Sequence, residues 1–79
     1  MNIESIARYK LGDMVIVIDP DITGTVVMNI EKIVLVADKN GTKVIYNGGI
    51  WAKLKDGWAM AHIEFAITEE RISGLYRFT

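Results

Sequence analysis

Three glycine signals, Asn40-Gly41, Asn47-Gly48-Gly49 and Asp56-Gly57, cut the second half of this chain into segments just long enough to be strands. Asn-Gly and Asp-Gly suit two-residue hairpin loops, whose central residues need positive φ, the region Gly, Asn and Asp tolerate best. The spacing therefore predicts a small, mostly antiparallel β meander, with tight turns at all three signals.

The chain has 79 residues, which is one domain. A domain this short buries a small fraction of its surface and sits near the margin of independent stability. It has no cysteine and a single histidine, so neither a disulfide framework nor a multi-histidine metal site is available to one chain. No cofactor is expected. The formal net charge is -1, from nine basic and ten acidic residues. That removes the basic excess typical of a dedicated nucleic-acid binder. Hydrophobic residues make up 51% of the chain, and mean hydropathy is +0.23. So small a domain cannot hide all of that surface, and surplus apolar surface drives association. A homo-oligomer is expected. No apolar run is long enough to span a membrane, and Met1 to Ile6 reads as no signal peptide. A cytoplasmic protein is the corresponding expectation.

Residues 2 to 9 read as a short helix or arm, with Ile3, Ile6 and Ala7 on one face. Lys10-Leu11-Gly12-Asp13 turns the chain into Met14–Ile18, a buried strand. Asp19-Pro20-Asp21-Ile22-Thr23-Gly24 stops it. From Thr25 to Asp38 the alternation changes phase: Val26, Met28 and Ile30 share one face, and Ile33, Leu35 and Ala37 continue in the opposite phase. Glu31 and Lys32 are poor tight-turn residues, so the flip reads as a bulge that bends one long strand, with a break between two strands as the alternative. Thr42–Tyr46 and Ile50–Leu54 read as separate strands. Residues 58 to 66 alternate like a strand but carry good helix formers, so a short helix over 60 to 66 also fits. Thr68-Glu69-Glu70-Arg71 looks like a cap and first turn, ended by Gly74.

Leu11-Gly12-Asp13-Met14-Val15-Ile16-Val17, followed by Gly24-Thr25-Val26-Val27, resembles the opening of SH3-like small β-barrels of the KOW and Tudor-like kind. The resemblance covers residues 9 to 46. It implies a small barrel that binds proteins, peptides or nucleic acid, and the fold alone does not choose among them.

Aromatic side chains are the best recognition candidates. Alternation sets Trp51 opposite Ile50, Ala52 and Leu54, hence pointing out of the core as a partner anchor unless the chain itself covers it. Tyr46, Lys43, Lys53 and Lys55 are expected around it, the lysines as a modest basic patch or as ordinary solubilising residues. Trp58 and Tyr76 are further aromatic candidates, and Trp58 is expected to be buried. His62 lacks a nucleophile and an orienting group, so no catalysis is expected. Asp13, Asp19 and Asp21 lack the further oxygens of a calcium loop.

The sequence thus predicts a mainly β domain over residues 1–79: a small antiparallel meander or SH3-like barrel of five to seven strands with a short N-terminal helix or arm. The expected function is a non-catalytic interaction module that self-associates or binds a protein. Its size and composition resemble the accessory proteins of phages and mobile elements. The alternative is a nucleic-acid-associated small barrel using the Lys/Trp face.

Overall fold

The computed structural model describes residues 7–18 and 24–77. Five antiparallel strands form one curled sheet: β1 (Met14–Val17), β2 (Val26–Asp38), β3 (Gly41–Leu54), β4 (Gly57–Thr68) and β5 (Ile72–Leu75). Their spatial order is β4-β3-β2-β1-β5. A meander of four strands is completed by a fifth that returns to pair with the first. β4 and β5 do not pair with each other, so the sheet is a half-barrel rather than a closed one.

The break in alternation at Glu31 is a bulge. β2 and β3 pair continuously, but the register shifts between Ile30 and Lys32, where one extra residue enters β2. An extra residue bends the strand and moves the apolar positions to the opposite parity. Val26, Met28 and Ile30 before the bulge, and Ile33 and Leu35 after it, therefore serve the same core.

Two of the three glycine signals are hairpin loops. Asp38 pairs with Gly41 across Lys39-Asn40, and Leu54 pairs with Gly57 across Lys55-Asp56. The positive φ falls on the glycines alone, Gly41 at +126° and Gly57 at +143°; no other described residue type takes it. Asn40 and Asp56 thus form the loops without entering the left-handed region, and the glycine just after the loop supplies the reversal.

The third signal is not a turn. Asn47-Gly48-Gly49 lies inside β3, which runs unbroken through both segments expected as separate strands. Gly48 is there because β2 comes too close for a side chain. A Cβ on Gly48 would overlap the Asn29 carbonyl oxygen and stand 2.8 Å from its carbon. Glycine in a strand interior marks such an approach of two backbones.

Residues 57–68 form a strand rather than a helix. The helix formers Ala59, Met60 and Ala61 yield to the ladder with β3, as propensity does when tertiary pairing is available. The expected cap and turn is a 3-10 turn, Glu69–Arg71. It is tied back to β1: Ile18 N–H donates to the Arg71 carbonyl at 2.7 Å, and the Arg71 guanidinium donates to the Ile18 carbonyl at 3.2 and 3.3 Å. Before β1, Lys10–Asp13 closes a turn through the Asp13 carboxylate, which accepts the Lys10 N–H at 2.9 Å. Gly12 N–H donates to the Ile30 carbonyl, clipping that turn to β2. Of the predicted N-terminal helix or arm, residues 2–6 lie outside the described residues, as do residues 19–23 of the loop after β1; residues 7–9 are irregular.

Candidate functional site

Side-chain alternation divides the sheet into two faces. The inner face carries the core, in which Val15, Met28, Ile30 and Tyr46 are almost fully buried. Cross-strand partners share a face, so the registers define a row on the outer face. Met60 pairs with Trp51, Trp51 with Val27, Val27 with Ile16, and Ile16 with Gly74. This row crosses all five strands. Val27 is 1% exposed yet stands outside the core cluster, on this opposite face between its strand partners Trp51 and Ile16. Trp51 is half-buried.

Next to this row, Lys53 pairs with Trp58. Its ammonium sits 6.0 Å from the centre of the indole, within cation–π range. The Trp58 ring meets Tyr76 edge to face, centroids 5.6 Å apart at 83°. Trp58 belongs to edge strand β4 and Tyr76 follows the opposite edge strand β5, so the aromatic contact joins the two free edges of the curled sheet.

The expected recognition set is therefore only partly assembled. Trp51 and Lys53 share the outer face, and Lys55 lies in the adjoining hairpin loop. Lys43 is on the same face but eight positions from Trp51, or roughly 26 Å along the strand. Tyr46 is absent from that surface. It is 0% exposed and lies on the core face with Ile50, as its even position on β3 dictates. Trp58, expected in the core, is half-buried on the outer face.

Tyr46 has a structural task. Its hydroxyl donates to Glu69 Oε1 at 2.6 Å and accepts the Tyr9 N–H at 3.3 Å. The same carboxylate oxygen accepts the Arg8 N–H at 2.8 Å, and the Tyr9 ring packs edge to face on Tyr46, centroids 5.8 Å apart. One hydroxyl thus joins the N-terminal segment, β3 and the 3-10 turn. Burial, reinforced by the hydrogen bond to the Glu69 carboxylate, pushes the Tyr46 hydroxyl up to about 12. Glu70, beside it, is held below the usual carboxylate range by its own backbone N–H and the Thr68 hydroxyl.

Trp51 is half-buried beside its buried strand partner Val27, so its truncation is expected to be felt in stability. Trp51→Ala should cost about 2 kcal/mol through the indole burial it gives up beside Val27. Trp58→Ala should cost about 1 kcal/mol, the worth of an edge-to-face ring pair and an exposed cation–π contact. Paired melting curves check the order; an unchanged Trp51→Ala melt would show that the indole adds nothing to the burial of Val27.

The remaining accessible feature is the free side of β4. This strand is twelve residues long and paired on one side only. Between Gly57 and Thr68 it has no lysine, arginine or proline, and Glu64 is its single acid. Ile63 is 82% exposed and Met60 47%. Sheet edges are ordinarily guarded by charge, especially lysine, by proline, or by bulges. Here the guard is limited to two register shifts against β3, both between Met60 and Phe65. The His62 ring lies stacked on Phe65, centroids 4.9 Å apart. Sequence reasoning did not single out this edge, since which strand ends a sheet is a property of pairing order. Among the described residues, no group of three or more His, Asp or Glu side chains is placed to hold a metal. No protein-family model matches the chain, and no curated protein or solved structure does either.

Proposed function

We propose that this chain is a non-catalytic interaction module on an SH3-like small-barrel framework, which binds protein strands, its own included, along the free edge of β4. The return of β5 to β1 after a three-residue 3-10 turn supports the barrel framework, because a meander that pairs its last strand with its first is on the way to closing. The observation that carries the function is the edge itself: a long strand that no other described strand pairs on its outer side, an 82% exposed isoleucine at its middle and no basic residue or proline to repel another strand. Strand addition at such an edge supplies main-chain hydrogen bonds for affinity, with side chains at alternate positions giving specificity. The nucleic-acid alternative built on Trp51 with Lys43, Lys53 and Lys55 is favoured less, since Lys43 lies roughly 26 Å along the strand from Trp51 and Lys53 sits 6.0 Å from the Trp58 ring.

The test is a charge at the edge. Ile63→Lys should leave the melting temperature within about 4 °C, as exposed substitutions usually cost under about 0.5 kcal/mol. It should at the same time weaken association by tenfold or more in sedimentation equilibrium. Unaltered association in a folded Ile63→Lys protein would place the contact elsewhere.

A further inference from the structure

We infer that the occupant of the β4 edge is the β4 edge of a second copy, paired antiparallel about a two-fold axis at Ile63. This rests on the reading of β4 as the binding edge and adds the partner, the symmetry and the register.

The argument starts from self-complementarity. In an antiparallel pair of identical strands, the residue numbers of facing partners have a constant sum, and a two-fold interface must match itself. Centring the pair on Ile63 sets the most exposed large apolar side chain among the described residues against its own copy. One step out on either side, His62 meets Glu64 of the other copy, and Glu64 meets His62. An imidazole N–H donates to a carboxylate, and the contact occurs twice. The next positions match by size: Ala61 faces Phe65, and Met60 faces Ala66. This register runs from Met60 to Ala66 on both copies and leaves Trp58 to its contact with Tyr76.

Moving the axis by one residue loses these matches. With the axis at His62, the two histidines face each other and Glu64 faces Met60. With the axis at Glu64, two carboxylates face each other, which is destabilising for directly opposed like charges. The local backbone agrees. β4 carries its two extra residues between Met60 and Phe65, so its middle arches against β3. Within that stretch the Ile63 side chain is 82% exposed. The result is a continuous sheet of ten strands, with the β4 edge of each copy covered by the other.

The chain has no native cysteine, which makes the register directly readable. Facing positions in an antiparallel pair bring Cβ atoms to about 4.5–5.5 Å and Cα atoms within disulfide range. Under mild oxidation, Ile63→Cys should form a disulfide dimer nearly completely, whereas Ala61→Cys and Ala66→Cys, each facing a residue other than itself, should cross-link at least tenfold more slowly. All three sites are exposed, so the fold should survive, and far-UV circular dichroism checks that. A charge exchange gives a second reading: Glu64→Lys should weaken dimerisation about tenfold, and adding His62→Glu to the same chain should restore it. A dimer in sedimentation whose Ile63→Cys form cross-links no faster than Ala61→Cys would overturn the register and two-fold axis while leaving the edge as an interaction site. A wild-type chain that stays monomeric at high micromolar concentration overturns the second copy as occupant. Loss of association in Ile63→Lys, seen together with failed Ile63→Cys cross-linking, separates a working edge from a wrong symmetry.

Discussion

Replacing Gly48 with alanine is expected to unfold this protein at room temperature, while the same change at Gly49 leaves it folded. The two glycines are adjacent, both buried, both inside β3. Their surroundings differ. At Gly48 the new Cβ would collide with the Asn29 carbonyl, a backbone group of the neighbouring strand that cannot rotate away. Relief requires separating β2 from β3 beside the Glu31 bulge, where the sheet bends. At Gly49 the nearest atoms to a new Cβ are at 3.5, 3.5 and 3.8 Å, ordinary van der Waals contact. Gly48→Ala should therefore cost more than about 4 kcal/mol, in the range reserved for severe backbone or core disruption. A domain of this size has a total stability of only a few kcal/mol. Gly49→Ala should lie near zero or gain up to about 1 kcal/mol by restricting the unfolded chain. Circular dichroism melts of the two variants decide it. A folded Gly48→Ala protein would mean that β2 and β3 separate there at little cost.

The second large effect belongs to Tyr46. Tyr46→Ala should cost about 3–5 kcal/mol, as truncation of a buried aromatic does, because the ring is fully buried against Tyr9 and the core. Tyr46→Phe keeps the ring and removes the hydroxyl. It leaves the Tyr9 N–H without its acceptor and Glu69 with one donor, the Arg8 N–H, in place of two, and should cost about 1–3 kcal/mol. The hydroxyl also sets a pH dependence. Its folded value is raised from 10.0 to about 12. Below about pH 10 the tyrosine is protonated in both states, and its contribution is complete. Between about 10 and 12 the unfolded chain gives up the proton while the folded one keeps it, so stability falls as pH rises through this window. A shift of this size corresponds to a loss on the order of 2–3 kcal/mol. Denaturant titrations of wild type and Tyr46→Phe at pH 9 and at pH 12 test this, with the gap between the two proteins expected to narrow at the higher pH. A constant gap would detach the alkaline loss from Tyr46.

The latch around Tyr46 shows why a recognition role for that residue was a misreading. Along β3, even-numbered Val44, Tyr46, Gly48 and Ile50 lie on one face, and Lys43, Trp51 and Lys53 on the other. The parity was available once Asn47-Gly48-Gly49 is taken as part of a strand. Taken as a turn, it disconnects residue 46 from residue 51 and lets both seem to point outward.

What the amino-acid order determined by itself was local. Short-range apolar alternation marked β1 and β2 as strands and, through its change of phase at Glu31, the bend in β2. The glycines at 41 and 57 fixed two hairpins, because no other residue type takes positive φ so cheaply. Thr68–Arg71 carried enough turn character to announce a helical turn, which takes 3-10 geometry and ends at Ile72 rather than at Gly74, a residue inside β5. Tertiary structure decided everything that depends on which backbones approach each other. It made Asn47-Gly48-Gly49 a strand crossing instead of a reversal, since a glycine needed for close approach and one needed for positive φ read alike in sequence. It kept residues 57–68 extended by giving them β3 as a partner. It buried Val27 on the outer face beside Trp51, and carried Trp58 onto the opposite edge at Tyr76. It also left β4 as an edge: pairing order is settled by contacts between residues distant along the chain, and alternation, which records only the two faces of a strand, carries no information about which strand has a neighbour on each side.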